Sequence, residues 1–353
     1  MSYRVKLVGS SSDFIVHSHE TILEAALRAG VVLDYACSSG TCGRCLARLV
    51  SGQVEEIKPR EFVVSEAQKL QGYMLTCVNS ARQDCQIEAV ECVQPSDIPN
   101  QTMEVKLRKF EQLARQVYRL VVQTPRTKRL RFLAGQYVEL EIDTETRCNL
   151  SIASCPCEDR LIEFHIRISP VDNFTQALMN KVRVGNQLTL TGPYGGFVYQ
   201  QRSMRRIVLF AFDIGFGVMK SLLEHVTAQE QDVGIKLIWM ACSDGGLYMH
   251  NLCRSWGDAL DDFDYTGIVL QQSPQELITQ PEQSCQMVER ELLAVMNAEQ
   301  DLSNCDIYVC APEPVRQIFE KICLDKGYLS ERFFSESVRG GYDLSCIDRH
   351  EQA

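Results

Sequence analysis

The sequence predicts an α+β multidomain chain of three modules in series. These are a small mixed segment (residues 1–93), an antiparallel β-barrel (103–203) and an α/β domain with a parallel sheet (204–338). Three observations predict it. The 353 residues exceed what one hydrophobic core organises. The stretch Gln94-Pro-Ser-Asp-Ile-Pro-Asn100 has two prolines and no periodicity, which marks a linker over 94–102. Past residue 205 the strand-like runs become apolar throughout and alternate with helical stretches, the pattern of a sheet covered on both faces.

The first module opens on an alternating strand, with Tyr3, Val5 and Leu7 on one face and Arg4 and Lys6 on the other. Thr21 and Glu24 form a capping-box pattern before a helix with Leu23, Ala26 and Leu27 as its apolar face and Gly30 as its C-cap. Further strands are expected near 46–49 and 87–93. In the second module, short strands at 117–122, 137–142, 162–168 and 187–190, separated by turn signals, suit a small barrel. The third module has apolar runs at 207–212, 235–241 and 307–310, with a helix over 219–226 after the first. The tail, 339–353, carries Gly340-Gly341 and charged residues, and little in it would hold it down.

Composition bounds the function. Hydrophobic content of 45% and charged content of 23% are those of an ordinary globular protein. No run is long and apolar enough to span a bilayer, and residues 1–9 lack the layout of an export signal, so a cytoplasmic protein is expected. Sixteen cysteines in a chain this long, irregularly spaced outside one cluster, point to a reducing compartment rather than a disulfide framework. The net charge of −10 argues against nucleic acid as a partner.

That cluster is Cys37-Ser-Ser-Gly-Thr-Cys42-Gly-Arg-Cys45, followed by 31 residues and then Cys77. Cys-x4-Cys-x2-Cys with a distant fourth cysteine is the plant-type [2Fe–2S] spacing. Gly40 and Gly43 permit the tight wrapping that three converging thiolates need, and the small residues between let N–H groups point at the sulfurs. A structural zinc site would pair its ligands as two close couples instead. At this motif, and at Tyr35-Ala-Cys37, the chain resembles the plant-type ferredoxin domains.

The remainder resembles the ferredoxin–NAD(P) reductase superfamily. The module order is similar to the reductase components of bacterial oxygenases and to the CDP-6-deoxyglucoseen reductases. The resemblance rests on Phe132-Leu-Ala-Gly-Gln-Tyr-Val138, Gly192-Pro-Tyr-Gly-Gly-Phe197, Gly215-Phe-Gly-Val-Met-Lys-Ser-Leu-Leu-Glu-His225, Tyr308-Val-Cys-Ala-Pro312 and Glu331-Arg-Phe-Phe-Ser335. It implies a β-grasp ferredoxin, a six-stranded antiparallel flavin-binding barrel and an α/β nucleotide-binding-like domain. It also implies a path from NAD(P)H to FAD, then singly to the cluster, then to an oxygenase or dehydrase partner.

Carried residue by residue, the resemblance places Ser151 beside the flavin and Cys310 near the nicotinamide as catalytic candidates. Arg147, Ser151, Thr175 and Gly215 are its cofactor-binding candidates. A small buried residue at a strand end explains Cys310 equally well. The chain departs from the family where phosphates bind. The flavin signature Arg-x-aromatic-Ser reads Cys148-Asn-Leu-Ser151, leaving Arg147 one position upstream as the substitute. The glycine pair ahead of Thr175 is Val171-Asp172, and the Gly-Gly of the nicotinamide turn is Phe212-Asp213. Asp213 reads either as part of a cofactor loop or as a cap on the helix that follows. Met240-Ala-Cys242 lacks an arginine for a 2′-phosphate, which favours NAD over NADP. Two functions stay open: a flavin and iron–sulfur reductase, or a cluster-bearing subunit whose reductase-like body is a docking platform. Cys155-Pro-Cys157 reads as an incidental pair, and His225 as a charge suited to a helix C-terminus.

Overall fold

The computed structural model describes residues 1–200, 203–229, 233–242, 246–272, 281–297 and 301–339. In the first module β1 (Ser2–Leu7) and β2 (Asp13–His17) form a hairpin, and α1 (Ile22–Arg28) packs across it. Thr21 and Glu24 make the reciprocal capping box that the sequence predicts. β3 (Leu46–Ser51), β4 (Val54–Glu56), α2 (Glu66–Leu70), β5 (Tyr73–Leu75), β6 (Asn79–Ala81) and β7 (Cys85–Glu88) follow. The main sheet runs β2-β1-β7-β3-β5, and β7 lies parallel to β1. β7 stops at Glu88, short of the strand expected over 87–93; beyond it the described chain makes one bridge, Leu33 to Glu91.

The second module holds β8 (Gln101–Ala114), β9 (Val117–Gln123), β10 (Tyr137–Asp143), β11 (Thr146–Ser151), β12 (Leu161–Arg167), α3 (Asn173–Lys181) and β13 (Gln187–Tyr194). They curl as one antiparallel sheet in the order β11-β10-β13-β8-β9-β12, with β11 and β12 as its unpaired edges. Over residues 101–107, β8 alternates buried and exposed residues, which puts Met103, Val105 and Leu107 in the barrel core.

The third module holds β14 (Arg206–Phe212), α4 (Phe216–Ala228), β15 (Ile235–Cys242), α5 (His250–Ala259), β16 (Phe263–Leu270), α6 (Pro281–Met296), β17 (Cys305–Cys310), α7 (Glu313–Leu324) and β18 (Phe333–Glu336). The sheet order is β16-β15-β14-β17-β18, and every pairing is parallel. Separate apolar layers cover its two faces, and every residue of β15 is buried. Among the described residues no helix is long and apolar enough to cross a membrane.

The modules are fastened to one another by polar contacts. The buried Arg131 of the barrel pairs with Asp34, which also pairs with Arg44. The Arg129 N–H donates to the Ala36 carbonyl at 2.6 Å. On the other side, α4 is bolted to the barrel: Lys220 Nζ donates to the Ala153 carbonyl at 3.0 Å and Ser221 Oγ to the Ser154 carbonyl at 2.7 Å.

Candidate cluster and nucleotide sites

The loop 37–45 turns back on itself through left-handed backbone at Ser38, Gly40 and Gly43. Gly43 stands at φ +75°, and a Cβ there would lie 2.3 Å from the Phe62 ring, so both conformation and space demand glycine. The Gly40 carbonyl accepts from the N–H groups of Glu61 and Phe62, which ties the loop to the segment beneath it.

The loop brings its thiols together with Cys77. Cys45 and Cys77 lie 3.0 Å apart, sulfur to sulfur. Cys37 and Cys42 are hydrogen-bonding neighbours, and Cys37 acts electrostatically on both Cys45 and Cys77. The Ser39 and Arg44 N–H groups point at the Cys37 and Cys42 sulfurs at 3.4 and 3.5 Å. Burial raises the Cys37 thiol, but the hydrogen bonds from Thr41 and Ser39 outweigh it and hold the group at about 6. Among the described residues no three His, Cys, Asp or Glu side chains could hold one metal ion. The thiols stand instead as two adjacent pairs, which fits a two-iron cluster with two thiolates on each iron. Cys42 is exposed while the other three are buried, so the site opens to solvent at that corner.

On the barrel, β11 lies beside β10 in regular register, Ser151 opposite Tyr137 and Arg147 opposite Glu141. Ser151 is half-buried at the end of the strand. Strand alternation puts Arg147 on the face opposite Cys148, with a side chain 64% exposed and 3.8 Å from Glu139. The same alternation puts Arg147 on the face of Tyr137 and Ser151, with its side chain turned to Glu139. Cys148 instead has Asp172 and Arg339 as its charged neighbours. Arg339 comes from the far end of the chain; its guanidinium sits 3.7 Å over the Tyr137 ring and pairs with Glu336. Nothing in the sequence pattern around residue 148 announces Arg339. Gly196 has open space where a Cβ would project. Tyr137, Ser151, Gly196 and Arg339 thus offer an aromatic face, a hydroxyl, room and a cation, a donor set that fits a flavin.

Thr175 is fully buried, and its hydroxyl donates to the carbonyls of Ser169 (3.1 Å) and Asp172 (3.2 Å). The Asp172 carboxylate accepts from the Thr175 N–H and caps α3. The hydroxyl and the helix end expected to meet phosphate are satisfied within the chain.

The turn after β14 is closed in the same way. Gly215 does lie against Cys310, since a Cβ on it would fall 2.6 Å from the Cys310 carbonyl oxygen. Burial pushes the fully enclosed Cys310 thiol well up, with nearby Glu336 adding to it, so Cys310 stays a neutral thiol. Asp213, 1% exposed and at φ +52°, does not cap α4 as its position suggests. Its carboxylate takes both arms of the Arg167 guanidinium in a buried fork, and its carbonyl accepts from Trp239 Nε1 at 3.0 Å. Phe216 stacks on Trp239 with centroids 3.8 Å apart, while Phe212 is buried in the apolar layer on the other face of the sheet. A pyridine dinucleotide does not fit this turn as it stands, because an anionic carboxylate and the buried Phe216 ring stand at the start of the helix. His225 lies in the last turn of α4 as expected, but it is enclosed, and burial lowers it to about 4.

A polar network backs this junction. His165 Nε2 donates to the Glu163 carboxylate at 2.9 Å, which leaves Nδ1 to accept from the Tyr248 hydroxyl at 2.9 Å. Burial lowers His165 and keeps it neutral.

A loop that gathers four thiols in two pairs, a curled barrel with flavin donors and a doubly covered parallel sheet define a flavin and iron–sulfur oxidoreductase. Residues 5–82 match the 2Fe-2S iron-sulfur cluster binding domain family, and residues 104–199 match the oxidoreductase FAD-binding domain family. The two matches put a 2Fe-2S domain ahead of an FAD-binding domain, the combination that makes the chain similar to the reductase components of oxygenases and dehydrases. It is 29% identical over 269 residues to the CDP-6-deoxy-L-threo-D-glycero-4-hexulose-3-dehydrase reductase of Yersinia pestis, covering 76% of this chain and 80% of that one. It is 27% identical over 305 residues to the propane 2-monooxygenase reductase component of Gordonia sp. (strain TY-5), covering 85% and 86%. The solved ferredoxin reductase in carbazole 1,9a-dioxygenase shares the fold with a TM-score of 0.54 at 22% identity, over 96% of this chain and 98% of that one.

Proposed function

We propose that the chain is the NAD(P)H-dependent reductase component of a two-part oxygenase or dehydrase system and works in the cytoplasm. The convergence of Cys37, Cys42, Cys45 and Cys77 in two adjacent pairs carries this reading. Bound FAD would split a hydride's electron pair into single electrons, which a [2Fe–2S] cluster accepts one at a time.

The chain's own residues supply the setting. The four cysteines hold the irons, and the N–H groups of Ser39 and Arg44 direct positive dipoles at the sulfurs and so favour the reduced, more negative cluster. Exposed Cys42 faces the partner. Tyr137, Ser151 and Arg339 position the flavin. The Arg167–Asp213 fork occupies the nucleotide turn from within the chain.

The test is an anaerobic absorbance spectrum of the purified protein with its flavin extracted and identified, followed by separate additions of NADH and NADPH. Bound FAD and bleaching of both chromophores by NADH are expected. A chain that holds no flavin and bleaches only with dithionite would be a docking platform served by another donor, and the reductase reading would fall.

A further inference from the structure

The reductase chemistry leaves one pair of nucleophiles unused. Cys155 and Cys157 sit in the loop between β11 and β12, on either side of Pro156. Cys155 is 4% exposed, whereas Cys157 is open to solvent. The Cys157 N–H donates to Cys155 Sγ at 3.3 Å, and the two thiols are themselves hydrogen-bonding neighbours. The Glu158 N–H closes a turn onto the Cys155 carbonyl at 2.9 Å. Proline fixes the backbone between the sulfurs, so little chain entropy remains to be lost in joining them.

We propose that Cys155 and Cys157 form a peroxide-responsive dithiol that closes to a disulfide at the junction of the three modules. An exposed thiol beside a buried partner is the arrangement of a sensing and a resolving cysteine. The neighbouring Cys155 thiol lowers the exposed Cys157, outweighing burial and the opposing charges of Glu224 and Glu158.

The chemistry balances with hydrogen peroxide as the oxidant. The Cys157 thiolate attacks one peroxide oxygen, the O–O bond breaks, and Cys157 sulfenic acid and hydroxide form. The Cys155 sulfur then attacks the Cys157 sulfur; the S–S bond forms and the sulfenic oxygen leaves as water with the Cys155 proton. In sum, two thiols and one peroxide give a disulfide and two waters. A small dithiol reverses the change by exchange.

The position gives the switch its reach. Just before the pair, the Ser154 carbonyl accepts from Ser221 of α4. Just after it, the Asp159 carboxylate bonds to Tyr35 and lies 3.4 Å from Ser38 Oγ, next to Cys37. Drawing the sulfurs together pulls on a loop held at one end by the nucleotide domain and at the other by the cluster loop.

The experiment uses the full holoprotein. It is treated anaerobically with graded hydrogen peroxide, alkylated, digested and mapped by mass, with cluster and flavin absorbance read on the same sample. The peptide bearing both cysteines is expected to lose two hydrogens and to regain them with dithiothreitol. Cys157→Ser should abolish that loss. Cys155→Ser should stop at a Cys157 sulfenic acid that dimedone traps. Recovery of both residues as alkylated thiols at doses that oxidise other cysteines would overturn the proposal, as would a bond from either to a third cysteine. Absorbance that shows no cluster or flavin before peroxide would count against the reductase reading and leave the thiol mapping intact.

Discussion

The cluster loop and the nucleotide turn are both short, small-residue connections whose backbone must come close to something. They meet that demand in opposite ways. In the loop 37–45, glycines keep their places, N–H groups point at sulfur, and Cys45 meets Cys77 sulfur to sulfur. In the turn at 212–215, Gly215 stays but the expected glycine pair is Phe212-Asp213, and the polar groups are consumed inside the protein, the Asp213 carboxylate by Arg167 and its carbonyl by Trp239. One region is built to receive a group from outside, and the other supplies its own. The anionic ligand position is filled by a residue rather than left vacant, and that makes access to it a matter of displacement.

Four experiments would break or sharpen that contrast. The largest effect is expected at Cys45. Cys45→Ala removes one of the two thiolates of the Cys45–Cys77 pair, so iron content and visible absorbance should be lost while the far-ultraviolet circular dichroism of the barrel and α/β domain persists. Full retention of iron would mean that the ligand set is wrong.

At the turn, Asp213→Ala leaves the buried Arg167 guanidinium without its carboxylate, which should cost about 3–5 kcal/mol in denaturant unfolding. The double variant Arg167→Met with Asp213→Leu should recover most of that loss. If the single variant were as stable as the wild type, the fork would not be the closure described.

Acid should then separate the two regions. Burial holds His225 at about 4, below its ordinary 6.5. A folded value below the unfolded one means that the unfolded chain binds the proton first. The stability is therefore whole above pH 6.5 and falls as pH drops toward 4, by about 3 kcal/mol for a shift of this size. His225→Gln should flatten the melting temperature over this window; an unchanged slope would remove His225 as the cause. The smallest effect is expected at Arg147, where Arg147→Ala should change stability in denaturant unfolding by no more than about 0.5 kcal/mol.

Much of the fold could be read from the chain because its signals are local. The Thr21–Glu24 box, the cysteine spacing and the apolar runs of β14, β15 and β17 each depend on residues near one another in sequence. β16 escaped notice because it lies at the sheet edge, where only Ile268 and Leu270 are buried and Gly267 interrupts the apolar run. The site residues divide the same way. The cysteines were legible from spacing alone. Strand alternation, not distance along the chain, puts Arg147 on the face of Tyr137 and Ser151 rather than on that of Cys148. Asp213 looked like a cap because its true partner, Arg167, stands 46 positions away in another module. Arg339 was invisible for the same reason, meeting Tyr137 across the whole length of barrel and α/β domain.

The clamp between the first two modules has a kinetic consequence. Asp34 held by Arg131 and Arg44, and Ala36 held by the Arg129 amide, fix the cluster loop against the barrel. Donor and acceptor inside the chain therefore never have to find each other by diffusion. Their exchange should be first order, indifferent to protein concentration and to added salt. Delivery from the cluster to a separate partner should be second order and, if charge guides the encounter, should slow as ionic strength rises. A salt titration of turnover would thus report which of the two hand-offs limits the rate.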